Sequence, residues 1–204
     1  MPKLKFDILE STCIPLPLEN IDTDQIIPAR FLSSTSCEGF GENLFRDWRY
    51  DNSGNKNDAF ILNNQNYKGT ALVAGKNFGC GSSREHAVWA LTDYGFRAVV
   101  SSFFADIFKN NSLNNGLLPV VVPVKFLNDL LEMIQGEPET RIRIDLDKQL
   151  FSVLPSGESV EFEINPYKKE CLLKGLDDID YLLSIREVIT GYEFRNKLKR
   201  CESK

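Results

Sequence analysis

Short apolar runs alternate with segments of helical spacing from about residue 70 onward. The runs TALVAG, RAVVSSF and LLPVVVPV predict buried strands. The stretch from Ser83 to Tyr94, then ADIFKNNSLNN and KFLNDLLEMIQG, predict helices, and Gly95 and Gly116 stop the first two. Strands that alternate with helices imply parallel pairing and right-handed crossovers, so the pattern predicts an α/β domain.

The pattern changes on either side of this alternation. RIRIDLDKQLFSVL alternates with period two around a turn and predicts a hairpin, with SVEFEI as its neighbour. The tail from Asp178 to about Arg200 is predicted to be largely helical. Residues 1–31 are turn-rich. Residues 32–58 are predicted to form a long irregular loop, and its aromatic side chains indicate that the loop packs against another part of the protein or a partner. We predict one domain over residues 1–204, with a substrate-specificity loop at about 32–58 and a helical C-terminal tail.

Composition and charge narrow the class of partner. Of the 204 residues, 42% are hydrophobic and 26% charged, which is typical of a soluble globular protein. The net charge of -5 argues against a nucleic-acid or anionic-membrane partner, because both favour a positive surface. The charged N-terminus MPKLKFDILESTC has no apolar signal core, so we expect a cytoplasmic protein, or an organellar one whose leader has been removed.

The cysteine and histidine inventory bears on metal binding. Cys13, Cys37, Cys80, Cys171 and Cys201 form no CxxC pair, and His86 is the single histidine. This set lacks the spacing of a zinc site or a local iron–sulfur motif, so we expect no metal on this chain. Scattered thiols fit a reducing compartment better than a disulfide scaffold.

The segment NFGCGSSREHAVWAL, residues 77–91, carries the strongest chemical signal. Gly79 and Gly81 let the backbone turn sharply and approach a ligand. Ser82 and Glu85 have the spacing of a capping box, which predicts a helix start that can receive an anion. Arg84 adds a planar guanidinium that can bind a carboxylate through two hydrogen bonds. Together these features predict a carboxylate site.

Simpler interpretations stay open on spacing alone. A glycine-rich turn with serines is often only a tight turn and a cap, a lone histidine such as His86 is more often structural, and Cys80 has no second thiol. A nucleotide site is disfavoured because Arg84 replaces the third glycine of GxGxxG and no lysine precedes the serines. A second segment, NIDTDQIIPARFL, contains Asp22 and Asp24, which would share one face if the run is extended. The two carboxylates could cap a helix or hold a cation, or they could simply belong to a turn.

Several stretches together resemble one family over nearly the whole chain. NIDTDQIIPARFL, GFGENLFRDW, NFGCGSSREHAVWAL and SFFADIFKNNSLNNGLLPV, with KGLDDID near the tail, resemble in this order the signature stretches of the 3-isopropylmalate dehydratase small subunit family. The resemblance implies a swivelling β/β/α domain of the aconitase C-terminal type. It also implies a hydro-lyase of leucine biosynthesis that isomerises 2-isopropylmalate to 3-isopropylmalate by dehydration and rehydration.

The resemblance also implies roles for particular residues. Ser82 would be the base, Ser83 and Arg84 would bind a substrate carboxylate, and Gly81 and Thr23 would line the same site. Asp24 would pair with a catalytic histidine of a large subunit, and that large subunit would also carry the [4Fe–4S] cluster. The chain would then be active only with this partner, on a small dicarboxylate.

One departure and two alternatives remain. Many members carry an arginine in the loop near Cys37, where this chain reads TSCEGFG, so the candidates to hold the second carboxylate are Arg30, Arg46 and the large subunit. A sister hydro-lyase acting on a citramalate-type or homocitrate-type acid is one alternative. A non-catalytic binding module of the same fold is the other.

Overall fold

The computed structural model describes residues 5–32 and 39–202, and within that part seven strands form one sheet. The strand order across the sheet is β4-β3-β2-β1-β5-β6-β7. The strands are β1 Ile8–Leu16, β2 Ala71–Ala74, β3 Ala98–Ser101, β4 Leu118–Val121, β5 Arg141–Asp145, β6 Leu150–Val153 and β7 Ser159–Glu161. The helices are α1 Thr23–Ile26, α2 Arg46–Arg49, α3 Glu85–Tyr94, α4 Asp106–Asn114, α5 Val124–Gly136, α6 Pro166–Lys174, α7 Asp178–Ser184 and α8 Arg186–Glu202.

One half of the sheet is parallel, as the alternation of strands and helices predicted. β1, β2, β3 and β4 pair in parallel, with α3 between β2 and β3 and α4 between β3 and β4. Every residue of β2 and β3 is buried, which is expected of strands covered on both faces. α3 ends at Gly95 in the left-handed conformation, where glycine has no steric cost.

The other half is antiparallel and confirms the predicted hairpin. β5 pairs with β6 and β6 with β7, while β5 also pairs with β1. The sheet therefore changes from parallel to antiparallel at β1. The predicted helical tail is present as α7 and α8.

β1 is a strand that the sequence did not predict, because residues 1–31 were expected to be turns. Its first half, Ile8 to Thr12, pairs with β5, and its second half, Cys13 to Leu16, pairs with β2. Pro15 lies in the second half, where β5 is not a neighbour. A proline without an N–H is tolerated where one side of the strand has no ladder to complete.

The core has two layers, one on each face of the sheet. Alternate residues of β2 divide between them: Ala71 and Val73 face the layer with α5, and Leu72 and Ala74 face the layer with α3. The loop from residue 39 to 50 packs on the α3 side, where Phe45 stacks on Trp48 at 5.4 Å between ring centroids. The expectation that the aromatic residues of this loop pack is confirmed for the described part of the loop.

Candidate active site

The segment of residues 77–84, called here the serine loop, connects β2 to α3. It lies beyond the carboxyl end of a parallel strand, the edge at which ligands bind in open α/β sheets. Gly79 has φ +75° and Gly81 has φ +88°, so both adopt the left-handed conformation that the sequence analysis expected of the turn. Glycine is also required at position 79 for a steric reason, because a Cβ there would overlap the Phe108 ring.

A second segment, residues 20–24, holds the serine loop in place and is called here the strap. The N–H groups of Gly79 and Cys80 donate to the carbonyl of Ile21 at 2.8 and 3.2 Å. The N–H of Thr23 donates to the carbonyl of Cys80 at 2.9 Å. The two segments that the sequence singled out separately therefore form one unit, although about sixty residues separate them along the chain.

The helix start differs from the prediction. α3 begins at Glu85 and its N-cap residue is Arg84, whose φ of -140° and ψ of 110° are extended, and no side chain caps it. The predicted start at Ser83 and the capping box of Ser82 with Glu85 were therefore wrong. The loop is tied to the strap at this point, because the hydroxyl of Thr23 donates to the carbonyl of Ser82 at 2.8 Å, and the backbone is still extended at Arg84.

The acidic pair of the strap does not share one face of an extended run. Asp22 is the N-cap of α1, where its carboxylate accepts from the N–H of Gln25 at 2.8 Å and the Gln25 side chain accepts from the Asp22 N–H at 2.9 Å. Asp24 lies in the first turn of α1 and forms an ion pair with Arg84. The helix-cap interpretation is confirmed for Asp22, and Asp24 is brought to the serine loop.

The serine loop forms one side of a cleft of about 260 Å³. Its polar lining includes the predicted residues Thr23, Gly81, Ser82, Ser83 and Arg84. The N–H groups of Gly81, Ser82 and Ser83 donate to no group in the described part of the chain, so they are free to bind an anion.

The rest of the cleft lining comes from residues that the sequence analysis missed. Ala105, Ile107 and Phe108, at the start of α4, form an apolar wall, and Asp106 lies among them. They follow β3 as the serine loop follows β2, so the shared carboxyl edge of the sheet was the available signal. The cleft thus offers polar contacts for a carboxylate and apolar contacts for an alkyl group.

Two side chains beside the serine loop fit the simpler interpretations. His86 packs its ring against Phe40 and Trp89, with centroids 5.4 and 4.6 Å away. Burial, and then the charge of Asp22, raise the pKa of the Cys80 thiol, which disfavours the reactive thiolate.

The possible substitutes for the loop arginine lie in another cleft. Arg30 forms an ion pair with Asp47, and the Arg46 guanidinium lies 3.9 Å from the Tyr50 ring centroid. Arg30 and Arg46 line a separate hollow of about 630 Å³ that includes none of the serine loop. The departure near Cys37 falls in residues 33–38, which lie outside the described residues.

Metal donors are not gathered in the described chain. Among residues 5–32 and 39–202, no group of three or more His, Cys, Asp or Glu side chains is close enough to hold a metal ion. Within those same ranges, no helix has both the length and the apolar character needed to cross a bilayer.

Comparison with known proteins gives a consistent family. The Aconitase C-terminal domain model matches residues 3–125. A relative from Christiangramia forsetii named 3-isopropylmalate dehydratase small subunit is 56% identical, over 96% of this chain and 95% of its own. One from Cytophaga hutchinsonii with the same name is 54% identical, over 95% and 96%. The crystal structure of 3-isopropylmalate dehydratase from Methanocaldococcus jannaschii superposes with a TM-score of 0.64 at 28% identity, covering 91% of this chain and 99% of that one.

Proposed function

The chain belongs to the family of 3-isopropylmalate dehydratase small subunits, within the aconitase C-terminal domain family, and from this premise we propose how its cleft takes part in the reaction. The predicted α/β fold of the aconitase C-terminal type is confirmed. The chain is a subunit of an aconitase-family hydro-lyase. The substrate proposed is 2-isopropylmalate, converted to 3-isopropylmalate by loss and return of water in leucine biosynthesis.

The observation that carries the proposal is the joining of the strap and the serine loop. Thr23, Gly81, Ser82, Ser83 and Arg84 line one cleft, although the sequence places them in two distant segments. Asp24 reaches the same group through its ion pair with Arg84. A lining with a polar part and an apolar part suits an acid that carries both carboxylates and a branched alkyl group.

Substrate binding is assigned to the polar wall. The Arg84 side chain is mostly buried, at 17% exposure, so solvent screens its interaction with a bound carboxylate only weakly. Its guanidinium presents more N–H groups than the single contact to Asp24 uses. Ser83 and the free N–H groups of the loop supply further donors to the same carboxylate.

Ser82 is proposed as the base that removes the proton from carbon. Its hydroxyl forms no hydrogen bond to the described residues, so it is free to meet the substrate. An alkoxide needs strong stabilisation, and the start of α3 offers only ~0.3–1 kcal/mol, or about 2 kcal/mol when partly buried. A single donor aimed at a developing oxyanion contributes roughly 2.7–4 kcal/mol, so the loop N–H groups and Arg84 must supply most of the effect.

The large subunit is proposed to complete the site. Ser82 and Ser83 are exposed in this chain, and a partner that covers them would exclude water and strengthen each electrostatic contact. The Asp24 side chain is 54% exposed although it is paired with Arg84, so a histidine from the partner has access to the carboxylate. This access supports the role of Asp24 as the partner of a large-subunit histidine.

The [4Fe–4S] cluster is proposed to belong to the large subunit. The described donors of this chain do not fit it, because Cys13 and Cys171 are buried and no cluster of ligands is formed. Free thiols at Cys13, Cys80 and Cys171 fit a reducing compartment, and we propose that the protein is cytoplasmic.

Reconstitution tests the proposal. The purified chain should retain no stoichiometric iron and show no turnover, whereas its mixture with the large subunit of the same organism should convert 2-isopropylmalate. Citramalate and homocitrate serve as the matched controls, since preference for either would favour the sister enzyme. Turnover by the chain alone, or none with any of the acids, would contradict the assignment.

A further inference from the structure

Thr23 joins the strap to the serine loop. Its side chain is buried at 2% exposure, its hydroxyl donates to the carbonyl of Ser82 at 2.8 Å, and its N–H donates to the carbonyl of Cys80 at 2.9 Å. One residue therefore fixes the loop at two points that flank Gly81. Gly81 itself has φ +88°, and because glycine has no Cβ its backbone is less restricted than that of other residues, so the contacts on either side of it matter for the shape of the loop.

The Thr23 hydroxyl has one proton, and the structure commits that proton to Ser82. It cannot at the same time donate to a substrate oxygen. This differs from the role in substrate binding that the resemblance implies for Thr23. The hydroxyl of Ser82 has no partner among the described residues, so its position depends on the backbone that Thr23 holds.

Thr23 is itself fixed by α1. Asp22 caps this four-residue helix and exchanges two hydrogen bonds with Gln25. A helix this short is not stable by itself, so the cap and the contacts to the serine loop hold it together.

We propose that Thr23 is a positioning residue, which sets the place of Ser82 by hydrogen bonding to its carbonyl rather than by contacting the substrate. The proposal rests on the assignment of Ser82 as the base. A misplacement of about 1 Å at a reacting group can reduce the rate on the order of a hundredfold. The effect of losing the Thr23 hydroxyl should therefore appear in kcat, with KM changed little.

The test uses the reconstituted complex and three variants of this chain. Thr23→Val removes the hydroxyl at nearly constant shape, and Thr23→Ser restores it. Thr140→Val is the matched control, because Thr140 is buried at 0% exposure and its hydroxyl donates to the carbonyl of Glu137 at 2.7 Å, in the turn between α5 and β5. Both valine variants lose a threonine-to-carbonyl hydrogen bond, but only one of these bonds reaches the serine loop.

Steady-state kinetics and melting curves are measured on the same samples. We expect kcat to fall about tenfold to a hundredfold in Thr23→Val, with KM within about twofold, and to recover in Thr23→Ser. Thr140→Val should melt lower, as Thr23→Val does, while keeping the wild-type kcat.

Three results would overturn the inference. A raised KM with unchanged kcat in Thr23→Val would return Thr23 to substrate binding. Equal kcat in the two valine variants would reduce its role to stability, and a Thr23→Ser variant as slow as Thr23→Val would remove the hydroxyl from the explanation. If the wild-type complex itself were inactive on 2-isopropylmalate, the proposed function would fail instead, so the two failures are distinguishable.

Discussion

Replacing Gly79 by alanine should destabilise the protein strongly, for two reasons that the structure separates. Gly79 has φ +75°, and an L-residue in that conformation costs about 1–2 kcal/mol. The added Cβ would also overlap the Phe108 ring, which is 3% exposed and packs edge-on against Phe78 at 5.2 Å between centroids. Because the ring has little room to move, we add about 1–3 kcal/mol for overpacking, giving about 2–5 kcal/mol in total.

Gly116 provides the control for this experiment. It has nearly the same φ, +79°, but a Cβ there would meet no atom within 4 Å. Gly116→Ala should therefore cost only the conformational part, about 1–2 kcal/mol. Urea unfolding of the two variants, followed by circular dichroism, gives the free energy of unfolding of each. Equal losses in the two variants would refute the argument that Phe108 blocks the position.

Two further predictions concern the serine loop. Ser82→Ala should abolish turnover of the reconstituted enzyme. The variant should keep the wild-type melting temperature, because Ser82 caps no helix. A lowered melting temperature with normal kcat would contradict the proposed role. Arg84→Lys should lose on the order of 2–5 kcal/mol of transition-state binding, measured as kcat/KM, because lysine cannot make the planar two-point contact. Arg141→Lys, at an exposed pair with Glu10, is its control, and equal kcat/KM in the two variants would contradict the assignment of Arg84.

The sequence predicted elements that depend on local patterns. The apolar runs of β2, β3 and β4 are buried on both faces, and helices of regular spacing stop at glycines such as Gly95, so neighbouring residues carried enough information. The period-two hairpin was predicted for the same reason. Each of these features is determined within about fifteen residues.

The features that were missed depend on distant parts of the chain. β1 pairs with two strands that come much later in the sequence, and Pro15 made its segment look like a turn. Ser82 lies before α3 and contacts Thr23, which is about sixty residues away in the sequence, so the spacing of Ser82 and Glu85 could not reveal where the helix starts. The polar residues of the cleft could be predicted from the family resemblance. Its apolar residues, such as Ile107, could be identified only once the fold was known.

The division of β1 between two partners has a consequence during synthesis. β5, which pairs with the first half of β1, is synthesised about 130 residues after it. At translation rates of about 5–20 residues per second, the strand waits roughly 6–26 s for that partner. Its second half can pair with β2 sooner, so the nascent chain can form the parallel half of the sheet before the antiparallel half. The cleft belongs to the parallel half, and so the edge of the sheet that carries it can form before the sheet is complete.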